Sequence, residues 1–298
     1  MASWAETDDR TLISVVIVTQ GAGEGLQSCV ESFASQSGVA LLVVAGKHVP
    51  ETAISGVTSG VELIRAPGDS FPSLARLGLD AAAGGLIAFT ESHCAAAPDW
   101  AEQVRNIFLA DPKLAILGGS VIASKSLPLH DRALYAVDYG AFARMESGES
   151  ATLPGVNIVF RRTVLDASGW PTGEFWKSFA SWELFRRGEK VFFDPAPSVT
   201  YRRQLSWPRI RSRRWHHGRC FGAMRRPSMT KWRRIIFVLA APALPLLLTL
   251  KSWRVILGYA SIAESVMLVP SVFVVHLIWI AGEWVGNLFG TGDSCEQL

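Results

Sequence analysis

ISVVIVTQGAGEGLQSCVESFASQ, residues 13–36, decides the fold class. Ile13–Thr19 is an unbroken apolar, β-branched run, the composition of a strand covered on both faces. Gly21 and Gly23 end it. Leu26, Cys29, Val30 and Phe33 then recur at helical spacing, which predicts a helix from about Glu24 to Gln36.

The same alternation continues downstream. VALLVVA (39–45) reads as a second strand and VELIRA (61–66) as a third. Ser73–Ala83 reads as a helix, stopped by Gly84-Gly85, and LIAFT (86–90) as a fourth strand leading into a polar turn, 91–97. A helix over 100–110 and a strand over 114–122 follow. Residues 123–152 are polar, serine-rich and dotted with aromatics, and read as a loop-and-helix excursion. A strand at 156–160, a helix at 174–187 and a short strand at 191–193 complete the set. Short apolar strands alternating with helices predict an α/β fold with a mostly parallel central sheet.

The character changes after Arg234. Ile235–Leu250 is apolar and contains Pro242 and Pro245; Val266–Leu288 is apolar and interrupted by Pro270, His276 and Glu283. A bilayer span needs about 20 residues, so these two runs predict a C-terminal transmembrane hairpin; because the first is short, a re-entrant or interfacial hairpin is the alternative, and a buried soluble helical pair a further one. From Arg202 to Arg234 there are 12 Lys/Arg and no Asp or Glu. Because this segment runs straight into apolar sequence, it reads as a belt facing anionic headgroups rather than as a nucleic-acid footprint. The four cysteines fit no metal or disulfide spacing and read as reduced thiols of a cytosolic compartment. The polar start, MASWAETDDR, has no signal-peptide pattern. Together these predict a multi-pass membrane protein with its soluble domain on the cytoplasmic side. The expected division is 1–201 soluble domain, 202–234 basic juxtamembrane segment, 235–292 two membrane helices and 293–298 tail.

Several segments, in order, resemble the family 2 glycosyltransferases. Residues 13–36 look like that family's opening strand, loop and helix. SLARLGLDAAAGGLIAFTESHCAAAPDW (73–100) looks like the helix, strand and acidic turn that carry its metal motif. PGVNIVFRRTVLDASG (154–169) is similar to the segment on its acceptor side, and WELFRRGEKVFFDP (182–195) to the helix and strand after its catalytic acid. RWHHGRCFGAMR (214–225) and AGEWVGNLFGTG (281–292) resemble a bacterial membrane-anchored subgroup with C-terminal hydrophobic helices. The resemblance implies a GT-A-like nucleotide-diphospho-sugar transferase fold.

It also implies site residues. Thr19 and Gln20 stand where the first strand's end and its loop skirt the donor nucleotide. The family's Asp-x-Asp motif falls on Glu91-Ser92-His93, so Glu91 and His93 become the candidates for binding the donor diphosphate and a divalent Mn²⁺ or Mg²⁺. The alternative is a polar turn that holds no metal. Acidic residues expected after the second strand are replaced by Val44-Ala45-Gly46-Lys47. The family's Glu-Asp pair, which holds the catalytic base, falls on Trp176-Lys177. Glu174, two residues earlier, is therefore the candidate base, and Glu183 a further, more solvated carboxylate. Arg214, His216 and His217 would close over the diphosphate or touch lipid headgroups. The implied function is inverting transfer of a sugar from a nucleotide-sugar donor to a membrane-associated, lipid-linked acceptor, beside membrane lipids and without nucleic acid. The alternative is a non-catalytic binding or assembly component on the same fold.

Overall fold

The computed structural model describes residues 11–56, 60–168 and 175–297. They form two compact units, one of Met1–Ser124 with Phe142–Arg203 and one of Lys125–Ala141 with Gln204–Leu298.

The first unit opens with β1 (Ile13–Thr19), α1 (Leu26–Ala34), β2 (Val39–Ala45), the short α2 (Glu51–Ile54), β3 (Val61–Arg65), α3 (Phe71–Ala81) and β4 (Leu86–Glu91). β5 (Cys94–Ala96), α4 (Trp100–Ala110) and β6 (Leu114–Ala123) follow. The sheet order is β3-β2-β1-β4 in parallel, as expected of strands joined by helical crossovers. Every residue of β1 is buried, because helices cover both faces. α1 buries Leu26, Cys29, Val30 and Phe33, the stripe read from the sequence, and Phe33 meets Trp100 edge to face at 5.0 Å.

The excursion after β6 holds α5 (Leu129–Asp138), which belongs to the second unit, and the two-residue β7 (Gly148–Glu149). β8 (Ile158–Arg161) then inserts antiparallel between β4 and β6, followed by α6 (Arg162–Ser168) and α7 (Lys177–Arg186). The strand expected at 191–193 is in fact twelve residues long, β9 (Lys190–Tyr201). Asp194-Pro195, which reads as a turn, is passed by a register shift against β6 between Gly119 and Ser120. The β7 and β5 pairings with β9 lie on either side of that shift. Asn157 staples the shift. Its Nδ2 donates to Ser120 O and Pro197 O, both at 2.9 Å, and its Oδ1 accepts from Trp100 Nε1 at 2.9 Å. The polar turn expected at 91–97 thus contains β5.

The second unit adds α8 (Trp207–Arg225), α9 (Lys231–Ala240), α10 (Leu244–Ile256) and α11 (Ile262–Phe289). α8 and α11 run side by side in the same direction and touch through four glycines. A Cβ on Gly218 would strike Trp279 O and one on Gly222 would strike Glu283 O. One on Gly282 would strike Trp215 O and one on Gly286 would strike Arg219 O. Gly-x-x-x-Gly on both helices lets the backbones approach to contact. α5 packs Ala133 and Ala136 against Ile256, Leu268 and Val272.

The multi-pass expectation does not hold. α11 alone is long and apolar enough to cross a membrane. The first apolar run is broken where Pro242 and Pro245 prevent one continuous helix, so α9 and α10 meet at an 80° bend and count as a span only if taken together. One or two crossing helices is therefore the most the described residues supply. The reduced-thiol expectation also fails in part. Cys220 on α8 is bonded to Cys295 beyond α11, with Cα atoms 5.2 Å apart and 75 residues between them in sequence. Spacing could not show this, because the pair is made by the α8–α11 packing; Cys29 and Cys94 are free and buried.

Two outcomes follow from this unit. Gly286→Val forces side-chain atoms into the backbone of α8 and should destabilise by about 3 kcal/mol or more, read as a lowered Tm in detergent. Val266→Ala, on an exposed position of α11, should change stability by less than about 0.5 kcal/mol. Cys295→Ser should lower stability by about 2–4 kcal/mol, the usual scale for a structural disulfide. Dithiothreitol should lower the Tm of the parent and leave Cys295→Ser unmoved.

Candidate functional site

β1 lies between β2 on one side and β4 on the other, so the strand order reverses at the β1–β4 boundary. In such sheets the loops at the carboxyl ends part there and leave a crevice. Val18 pairs with Glu91 across that boundary. Thr19-Gln20 and Glu91-Ser92-His93 therefore leave the sheet side by side, and four of the candidate residues converge.

The Glu91 turn is held from three directions. Ser92 N donates to Val18 O at 3.1 Å and Arg202 N donates to His93 O at 2.8 Å. Cys94 pairs with Tyr201, and the His93 ring stands edge-on to Tyr201 at 5.0 Å. Gly25, at the start of α1, has φ +77° and lies so near that a Cβ would sit 2.9 Å from Ser92 O. Only glycine meets both demands. Gln20 Nε2 donates to Asp69 O, and Gly46 N donates to Thr19 O at 3.0 Å.

The charges collect around one carboxylate. Glu91 Oε2 stands 3.4 Å from Arg203 Nη1 and 3.7 Å from His93 Nδ1. Lys177, the first residue of α7, is only 7% exposed. Its Nζ donates to Gly155 O and lies 4.2 Å from the centre of the Phe71 ring, over its face. Burial pulls its ammonium down to about 8, against the opposing pull of Glu91 and Cys94, so it stays mostly protonated at neutral pH. Burial pushes the Cys94 thiol well up, with Glu91 adding to the effect, and burial alone pushes Cys29 up. Both remain neutral thiols rather than metal-binding thiolates.

A hard divalent ion seeks several anionic oxygens. Glu91 is the one carboxylate of this turn, and Arg203 and Lys177 already compete for its charge. Among the described residues, no three His, Cys, Asp or Glu side chains come together in a way that could hold a metal. The donor set does not fit the metal expected at Glu91 and His93.

Sequence reading missed Asp69, in the loop between β3 and α3. Its Oδ1 accepts from His48 N at 3.3 Å, and its Oδ2 contacts His48 Nδ1. It places a carboxylate beyond the ends of β2 and β3, near the run where the family's acids looked lost. Its position in Pro67-Gly68-Asp69, just past a parallel strand's carboxyl end, was the available signal.

Other candidates go elsewhere. Glu183 is bonded by Arg186 and by Arg187, whose Nε lies at 2.9 Å, both on its own side of α7. Its carboxylate is thereby committed to a surface ion pair and is set aside as a base. Arg214 is 6% exposed, bonded to Asp138 at 2.5 Å and stacked 4.6 Å over Trp279. His216 Nδ1 meets Ser294 Oγ at 3.1 Å, and the His217 ring packs on Trp279 at 4.7 Å. These contacts of Arg214, His216 and His217 all lie within the second unit. Glu174 lies outside the described residues.

No protein-family profile and no curated protein matches the chain. Among solved structures, the mannosyltransferase PcManGT from Pyrobaculum calidifontis, in complex with GDP-Man and Mn²⁺, is similar with a TM-score of 0.56 at 16% identity. That match covers 96% of this chain and 90% of that chain. S. aureus TarS 1–349 in complex with UDP-GlcNAc aligns with a TM-score of 0.49 at 12% identity, covering 65% of this chain and 59% of that one. The likeness to PcManGT is one of fold. The α/β unit with its mixed, largely parallel sheet, followed by C-terminal apolar helices, has a GT-A-like topology.

Proposed function

We propose that the chain is a glycosyltransferase of the family 2 type, moving a sugar with inversion from a nucleotide-sugar donor to a lipid-linked acceptor. The observation that carries this is the convergence of Thr19-Gln20 with Glu91-Ser92-His93 at the strand-order reversal of a GT-A-like sheet. The solved structure of similar fold, PcManGT, was captured with GDP-Man, which supports a sugar-nucleotide ligand. Thr19 and Gln20 border the nucleotide, Glu91 and His93 orient the diphosphate, and Asp69 offers an acceptor to base or ribose. In the transfer, the acceptor hydroxyl oxygen bonds the anomeric carbon and its proton passes to the Glu174 carboxylate. The bond from that carbon to the β-phosphate oxygen breaks, and its electron pair leaves with the nucleoside diphosphate. In the mannosyltransferase complex a Mn²⁺ ion accompanies the donor.

The second unit supports a lipid-linked acceptor. Leu239, Leu246, Leu247, Ile262, Met267 and Phe289 are all more than half exposed. Such a surface is suited to lipid, and Arg209 and Arg211 at the exposed start of α8 are suited to its anionic headgroups. A non-catalytic binding component is the second reading, favoured by Lys177 standing where a base is expected.

Glu91→Gln removes the carboxylate charge of the turn that now occupies Arg203, and should tighten binding of the matched sugar nucleotide. Glu174→Gln should keep that binding and lower turnover by roughly 10²-fold or more. Release of nucleoside diphosphate from a panel of nucleotide sugars, with vesicles bearing a polyprenyl-linked acceptor, reads both. A parent that binds donor but never releases sugar establishes the second reading. Arg209→Ala with Arg211→Ala should cut flotation of the full chain with anionic vesicles, by up to about 1 kcal/mol per charge. Unchanged flotation at low salt removes the headgroup role.

A further inference from the structure

We propose that Lys177 and Arg203, with His93, form a fixed cationic cluster that receives the donor's diphosphate in place of a divalent metal. This rests on the transferase reading, since it takes a nucleoside diphosphate as its ligand.

The first observation is the burial of Lys177. Removing an ammonium from water is costly unless anions or several hydrogen bonds replace the lost hydration. Lys177 is 7% exposed, yet its partners are one carbonyl, Gly155 O, and the face of Phe71. No carboxylate forms an ion pair with it among the described residues. An ammonium has three donors; the carbonyl takes one and the ring face another, which leaves one for a ligand. The second observation is the local balance of charge. Glu91 is the carboxylate within electrostatic reach of Lys177, and Arg203 already pairs with it. Among the described residues, Arg203 and the mostly protonated Lys177 thus bring two positive charges to this one carboxylate, and a diphosphate entering the crevice would redress the difference.

The third observation is the position of these groups. Glu91 and His93 occupy the turn at the strand-order reversal, and Arg203 follows Arg202, whose N–H is bonded to that turn. A divalent ion would bring two positive charges to the leaving diphosphate. Lys177 and Arg203 bring the same number on side chains that need no loading. The guanidinium offers a planar fork and the ammonium a point charge, both suited to phosphate oxygens. His93, 6% exposed and braced against Tyr201, adds a ring nitrogen beside them. The arrangement also explains why the carboxylates a metal would require have given way to Glu91-Ser92-His93.

The test is calorimetric titration of the full chain in detergent with UDP and GDP, in EDTA and then in excess Mn²⁺. Binding of one nucleotide should persist in EDTA and change by less than about twofold with Mn²⁺. Lys177→Met should weaken it by about tenfold or more, the scale of one lost charge-assisted contact, and Mn²⁺ should not restore it. Lys177→Arg, which keeps the charge, should stay within about threefold of the parent. Thermal melts of both variants separate lost binding from lost folding, and the EDTA result for the parent stands without either variant. Binding that vanishes in EDTA and returns with Mn²⁺ overturns the proposal while leaving the transferase reading intact. Metal-independent binding that a folded Lys177→Met protein retains overturns it too. Failure to bind either nucleotide under any condition overturns both the proposal and the reading beneath it.

Discussion

The pairing of β9 on two sides is the constraint on which the described site depends. Along twelve residues it runs parallel to β6, and its last residues also pair antiparallel with β5. The β5 pairing fixes the far end of the Glu91-Ser92-His93 turn, while Ser92 N on Val18 O fixes its near end. Without β9 the turn would be an ordinary loop. With it, His93 is pinned against Tyr201 and Arg203 is delivered beside Glu91. The register shift between Gly119 and Ser120 makes this possible, because it lets one strand pass Asp194-Pro195 and still reach the turn in register. Asn157 satisfies the backbone carbonyls that the shift would otherwise strand.

Local patterns in the sequence reported local structure well. Ile13–Thr19, Val39–Ala45 and the Leu26, Cys29, Val30, Phe33 stripe are what they look like, because burial on both faces of a sheet or one face of a helix writes its period directly into composition. The convergence of Thr19 with Glu91 was legible only through the family likeness, since nothing in either segment names the other. What stayed hidden is made by contacts distant along the chain. β9 looked like a three-residue strand because Asp194-Pro195 reads as a turn and half its residues alternate in exposure. Cys220 and Cys295 looked like isolated thiols because helix packing, not spacing, joins them. Lys177 was legible only as the residue standing in a lost acidic motif, and its burial depends on Phe71 and Gly155.

The site and the apolar helices handle charge in opposite ways. Around Glu91, Arg203 and Lys177 draw on the same carboxylate. In the second unit, buried charge is matched at close range: Arg214 with Asp138, and Arg225 with Glu283 at 2.8 Å. That pairing suits a scaffold that must keep one arrangement beside an apolar surface, where an unmatched charge has no water to turn to.

The division of the chain into units has a consequence for its synthesis. α5 leaves the ribosome well before α10 and α11, yet Ala133 and Ala136 pack in one cluster with Ile256, Leu268 and Val272. At ordinary elongation rates the gap is on the order of ten seconds. During that time the α/β unit gains β8 and β9 from chain made after α5, so the sheet closes while the helix threaded through its sequence still has an unsatisfied face. The nascent protein must therefore carry a sticky segment in the middle of an already folding domain. Its demand for a chaperone should peak before the last helix appears, not after release.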